Sequence, residues 1–101
     1  MEIEDWIHQP QEVKGTHDFS GKFFATAGVV NLLSEKEIKA IYMYIVELAK
    51  KENGLDYLQV FIHKTTKKKL FFIDALNREM LASGGFDPEH HYCTLLLAEE
   101  Y

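Results

Sequence analysis

Between Ser34 and His63 the apolar residues change from a helical period to an alternating one, and that change limits what this chain can fold into. Ser34-Glu35-Lys36-Glu37 is a capping box. The serine hydroxyl can accept from the Glu37 amide, and the Glu37 carboxylate reaches back to the Ser34 amide. Ile38, Ile41, Tyr42, Ile45, Leu48 and Ala49 then recur at helical spacing and define one buried face. The helix is predicted to run to Lys51 or Glu52, with Lys50 and Lys51 at its negative end and Gly54 as a left-handed C-cap. Met43, Tyr44 and Val46 widen the apolar surface beyond one stripe. Either the helix is covered on two sides, which is the expectation, or it offers a shoulder to a partner.

From Tyr57 to His63 the pattern is that of a strand. Leu58, Val60 and Ile62 are purely aliphatic and are expected under the helix. Tyr57, Gln59, Phe61 and His63 mix aromatic and polar groups, as on a half-solvated face. Lys64-Thr65-Thr66-Lys67-Lys68 reads as a lysine-wetted turn, with Lys69 to Asp74 returning as the next strand of a hairpin. His91 to Ala98 is a final strand, apolar on both faces and therefore placed inside the sheet. Phe23 to Val30 reads as the first strand, with Gly28 marking a bulge or close backbone approach. A short helix is expected within Asp74 to Gly85, capped by Asp74 and Gly84, with Leu76, Met80 and Leu81 inward.

The fold class is thus α+β: a mostly antiparallel sheet of about four strands, one long amphipathic helix on one face and a short second helix. The chain is 101 residues long, which suits one domain over 19–101 preceded by an acidic arm over 1–18. Pro10 breaks the arm, and Trp6 and Ile7 are the groups available to dock it. A single cysteine excludes an internal disulfide and suits a reducing compartment. Glu4, Asp5 and His8 interrupt any secretory pattern, and no apolar run is long enough to span a bilayer. A cytoplasmic protein is expected. The net charge of −5 argues against general nucleic-acid binding.

Three stretches carry a resemblance. Leu55-Asp56-Tyr57-Leu58-Gln59-Val60-Phe61, Phe71-Phe72-Ile73-Asp74 and the ending Thr94-Leu95-Leu96-Leu97-Ala98-Glu99-Glu100-Tyr101 resemble a family of small proteins from low-GC Gram-positive bacteria and their mobile elements. That family is catalogued as domain of unknown function 960. The resemblance covers residues 23–101, with Thr26-Ala27-Gly28-Val29 and the capped helix in the same order, and it departs between residues 62 and 93. The family carries no established activity, so it transfers no catalytic residue. It implies a compact cytoplasmic protein carried by a phage or plasmid.

Candidate chemistry is sparse. His90, His91 and Cys93 are weak metal candidates, because a strand puts His91 and Cys93 on one face and His90 on the other, and structural zinc wants four ligands. No metal and no cofactor is expected. Cys93 lies in an apolar strand within an acidic third of the chain, which disfavours a thiolate nucleophile. The lysine turn with Tyr57, Phe61, Phe71 and Phe72 could contact phosphate and bases, but a solvated hairpin tip is the simpler account. The expected function is a non-enzymatic protein-interaction module, acting on a host protein complex or on a second copy of itself. Its candidate binding residues are Tyr57, Gln59, Phe61 and His63 with Met43 and Tyr44. The alternative is a small metal- or thiol-dependent enzyme using His90 to Cys93, and no catalytic residue is assigned.

Overall fold

The computed structural model describes residues 5–101. Its strands are β1 (Trp6–Gln9), β2 (Lys22–Ala25), β3 (Leu58–His63), β4 (Lys69–Asp74) and β5 (Tyr92–Leu97). Its helices are α1 (Ala27–Leu32), α2 (Glu35–Lys51) and α3 (Arg78–Ser83), with short 3-10 turns at Pro88–His90 and Ala98–Glu100. The strands form one mixed sheet in the order β1-β3-β4-β5-β2, antiparallel except where β2 runs parallel to β5. The α+β class with one long helix is therefore present, with five strands where about four were expected. The fifth is β1, through which the arm is docked: Trp6 pairs with His63 and is buried.

Helix α2 forms where the capping box and its period require. Ser34 Oγ accepts from the Glu37 amide at 3.1 Å, and Glu37 Oε1 accepts from the Ser34 amide at 3.0 Å. Ile41, Ile45 and Ala49 are buried along its centre. Tyr42 and Tyr44 splay to opposite sides, Tyr42 against Phe23 and Tyr44 against Phe61. The wide stripe thus covers two flanks of one sheet face. Asn53 and Gly54 both take positive φ after the helix (56° and 110°), so the left-handed turn is shared between them.

Three local expectations are corrected. First, the strand read as Phe23–Val30 ends at Ala25. Thr26 Oγ1 accepts from the Val29 amide and caps α1, so Gly28, Val29 and Val30 are helical. Second, the two sides of β3 are exchanged. Gln59 and Phe61 face α2 and are 1% and 0% exposed, whereas Leu58, Val60 and Ile62 lie on the other side of the sheet. Third, Asp74 does not cap a helix. It ends β4, is buried, and accepts from the Phe19 amide at 3.2 Å and lies 3.1 Å from His17 Nδ1. Asn77 caps α3 in its place, Gly84 is the left-handed C-cap as expected, and Met80 and Leu81 are exposed while Leu76 is buried.

The core lies wholly on the α2 side. It joins Trp6, Phe19, Val29, Leu33 and Leu55 to the α2 centre and to Phe61, Leu70, Phe72, Cys93 and Leu95 from the sheet. None of Leu58, Val60, Ile62, Phe71, Ile73 or Leu96 belongs to it or packs against it.

Candidate functional site

The side of the sheet turned away from α2 follows from strand register. Side chains alternate across a strand, so each pair in the ladder places its two residues on one face. Ile7, Ile62 and Lys69 make one row. Gln9, Val60, Phe71 and Leu96 make the next, and Leu58, Ile73, Thr94 and Phe24 the third. Tyr92 and Lys22 close it. The two middle rows hold six large apolar side chains with only Gln9 and Thr94 between them. No acidic residue occupies a position in any row, and both cations, Lys69 and Lys22, sit in outer rows.

These residues are not covered in the way the other face is. Ile7 is 49% exposed, Phe24 50% and Tyr92 38%, while Leu58, Val60, Ile62, Phe71, Ile73 and Leu96 are half-buried. Tyr92 meets Phe24 edge-on at 5.8 Å, and the exposed Tyr101 leans on Phe71 at 5.6 Å. A half-buried aliphatic and aromatic layer of this breadth, on a protein whose one long helix serves the opposite face, is unusual for a free surface.

The residues singled out from sequence lie elsewhere. Tyr57 is exposed just before β3, and Met43 is half-buried on α2. His63 packs edge-on against Trp6 with ring centroids 4.8 Å apart, and its Nδ1 accepts from the Thr65 and Thr66 amides in the hairpin turn. Gln59, Phe61 and Tyr44 belong to a buried layer and not to a surface. Gln59 Nε2 donates to Gln11 Oε1 and to the Asp56 carbonyl, both at 2.9 Å, so its Oε1 faces His8 Nε2 at 2.7 Å. That oxygen can only accept, so His8 carries its proton on Nε2 and can take a hydrogen bond from the Tyr44 hydroxyl at Nδ1, 3.4 Å away. Burial lowers the His8 pKa below the ordinary imidazole value, partly opposed by the Gln59 contact.

The His90 to Cys93 region does not converge. His90 is exposed in a 3-10 turn, His91 Nε2 lies 3.3 Å from Ser20 Oγ, and Cys93 is fully buried on the α2 face. Burial, and then the charge of Asp74, pushes the Cys93 thiol up to about 12, the opposite of what a nucleophile needs. Among the described residues no three His, Cys, Asp or Glu side chains come together as a metal-ligating group. Among them, too, no helix is long and apolar enough to cross a membrane.

Strand register was the signal that sequence reasoning lacked. Leu58, Val60, Ile62, Phe71, Ile73 and Leu96 are each unremarkable in the chain, and only the ladder makes them one surface. No family model, no curated protein and no solved structure matches this chain.

Proposed function

We propose that this protein is a non-enzymatic interaction module that presents the helix-free face of its sheet to another protein surface. The observation that carries this reading is the continuous apolar pair of rows centred on Val60, Phe71, Leu96 and Ile73, with Lys22 and Lys69 in the outer rows and Glu12 and Asp56 lining a cavity beside Leu58 and Val60. An apolar centre with a polar rim is the composition of a protein interface. The buried, protonated thiol of Cys93 supports the same conclusion by weakening the thiol-dependent enzyme alternative. The binding surface proposed from sequence shifts from the Gln59 and Phe61 side of β3 to the Leu58, Val60 and Ile62 side. The resemblance to domain of unknown function 960 supports a cytoplasmic, mobile-element setting, with a host protein complex as one class of target.

The test is cross-linking and affinity capture from the host with the intact chain and with Val60→Glu. Proteins cross-linked through β3, β4 or β5 and lost from Val60→Glu support the reading. A capture profile identical for both chains, with no cross-link on this face, overturns it.

A further inference from the structure

We propose that β1 is a releasable strap, which in mild acid undocks from the edge of the sheet as a unit, with His8 as the trigger, while the other four strands stay folded under α2. Three observations carry this.

The first is how little holds the strap. β1 is an edge strand paired with β3. Its alternate side chains Trp6 and His8 turn towards α2, while Ile7 and Gln9 belong to the helix-free face. Trp6 donates from Nε1 to Glu37 Oε2 at 3.3 Å and packs on His63. Two clefts flank the joint. One, of about 280 Å³, lies between residues 9–13 and Asp56, Leu58 and Val60. The other, of about 110 Å³, is lined by Trp6, Leu32, Glu37 and His63. An incompletely filled joint at a sheet edge belongs to the low-stability end of a fold, where local opening precedes global unfolding.

The second is that the strap is mechanically separate. Residues 10–16 contain no helix or strand, and residues 12–14 are exposed. The chain is anchored afresh after them. His17 and Leu55 exchange two backbone hydrogen bonds of 2.9 Å, and Asp18 pairs with Arg78. Trp6 is the strap's single contribution to the core, and β3 keeps its ladder to β4 when β1 leaves.

The third is the chemistry of His8. The side chains touching its ring are Gln59, Tyr44 and Phe61, none of them a carboxylate. With one proton given from Nε2 to Gln59, a second would place a charge at Nδ1 inside the joint. The ionisable groups around it are Tyr44, Glu37 and the exposed Glu47 on α2, His63 on β3, and Glu12 and Asp56 at the cleft beyond Gln11. None of them acts on His8 through its charge; burial lowers its pKa, opposed by the Gln59 contact. Once undocked, the ring takes the proton more readily. Docking is therefore at full strength above pH 6.5 and weakens by up to about tenfold for each pH unit below it. Release opens the backbone edge of β3 and uncovers Gln59, Phe61 and Tyr44.

Trp6 is the one tryptophan in the chain, so its fluorescence reads the strap directly. The intact chain is titrated between about pH 8 and pH 5, the range in which histidine charges. The expected result is a red shift of Trp6 emission and an acrylamide-accessible fraction that rises by up to about tenfold per pH unit below 6.5, while far-ultraviolet circular dichroism holds steady. In His8→Gln both Trp6 readings should be flat with pH. His63 also touches the indole, so His63→Gln is the control and should keep the transition. The His8 ring protons, followed by NMR, should titrate with the same midpoint as Trp6, which keeps the test valid if His8→Gln is undocked at every pH. A Trp6 that stays shielded down to the lowest pH overturns the strap. So does a Trp6 transition that coincides with loss of circular dichroism, since the strap then leaves only when the body unfolds. A transition kept by His8→Gln, abolished by His63→Gln, or separate from the His8 titration overturns His8 as the trigger.

Discussion

His8 shows how a single buried side chain sets a pH response. Its Nε2 proton is committed to Gln59, and burial disfavours a second proton on Nδ1. The folded pKa is therefore below the unfolded value of 6.5, so the unfolded chain binds the proton more readily. The stabilisation is complete above pH 6.5 and is lost as the pH falls below it. Urea midpoints measured from pH 8 to pH 5 should fall over that range, and His8→Gln should remove most of the slope. A second loss should follow near pH 4 and below. Asp18, Glu37, Glu79 and Glu100 have pKa values lowered mainly by Arg78, the Ser34 amide, Thr16 and Thr26 respectively, and their contributions vanish on protonation. Cys93 gives an independent reading. With its thiol at about 12 and no exposed surface, it should react with a disulfide reagent at the rate of global unfolding, and rapid labelling of the native protein would contradict the burial described.

At the scale of elements, those with local signals were legible and those fixed by distant partners were not. The capping box needs only Ser34 and Glu37, so α2 could be read, and Ser34→Ala should cost about 1 kcal/mol in a denaturation experiment. Gly84 could be read as a C-cap because φ of 69° is costly for any other common residue. With nothing within 4 Å of a Cβ there, Gly84→Ala should lower stability by backbone strain alone, about 1 kcal/mol. Helix α1 was not legible. Its Gly28, Val29 and Val30 are poor helix formers, and the group that seals its start is the Glu100 carboxylate, which accepts from Thr26 Oγ1 at 2.7 Å from the far end of the chain. The orientation of β3 was misread for a related reason. Its purely aliphatic face is the outer one, and Gln59 goes inward because Gln11 and His8 satisfy it there, which no local pattern announces. Residues 79–90 are exposed throughout, and their amides should exchange hydrogen before those of any strand.

For the molecule as a whole, the sequence did hold a clue to the open face. Two strands, β4 and β5, are largely apolar on both sides and are set against a single long helix, and one helix can roof only one side of a sheet. Counting layers would have predicted an uncovered face, although not which residues compose it. If a second copy fills it, the melting temperature should rise with protein concentration, and association should respond little to sodium chloride, because the buried rows carry no charge. A melting temperature constant across a hundredfold dilution would argue for a monomer.

The parallel pairing of β2 with β5 also has a consequence for timing. Lys22 is seated against Tyr92, roughly 70 residues later in the chain. At synthesis rates of about 5–20 residues per second, β2 waits on the order of 4–14 s before its only neighbour emerges from the ribosome. Meanwhile Phe23 and Phe24 have no strand to pair with, and α2 can roof only the β3–β4 hairpin. The last strand made is the one that closes the sheet, so a nascent chain halted before Tyr92 holds Lys22–Ala25 as an unpaired strand with Phe23 and Phe24 exposed to chaperones and proteases.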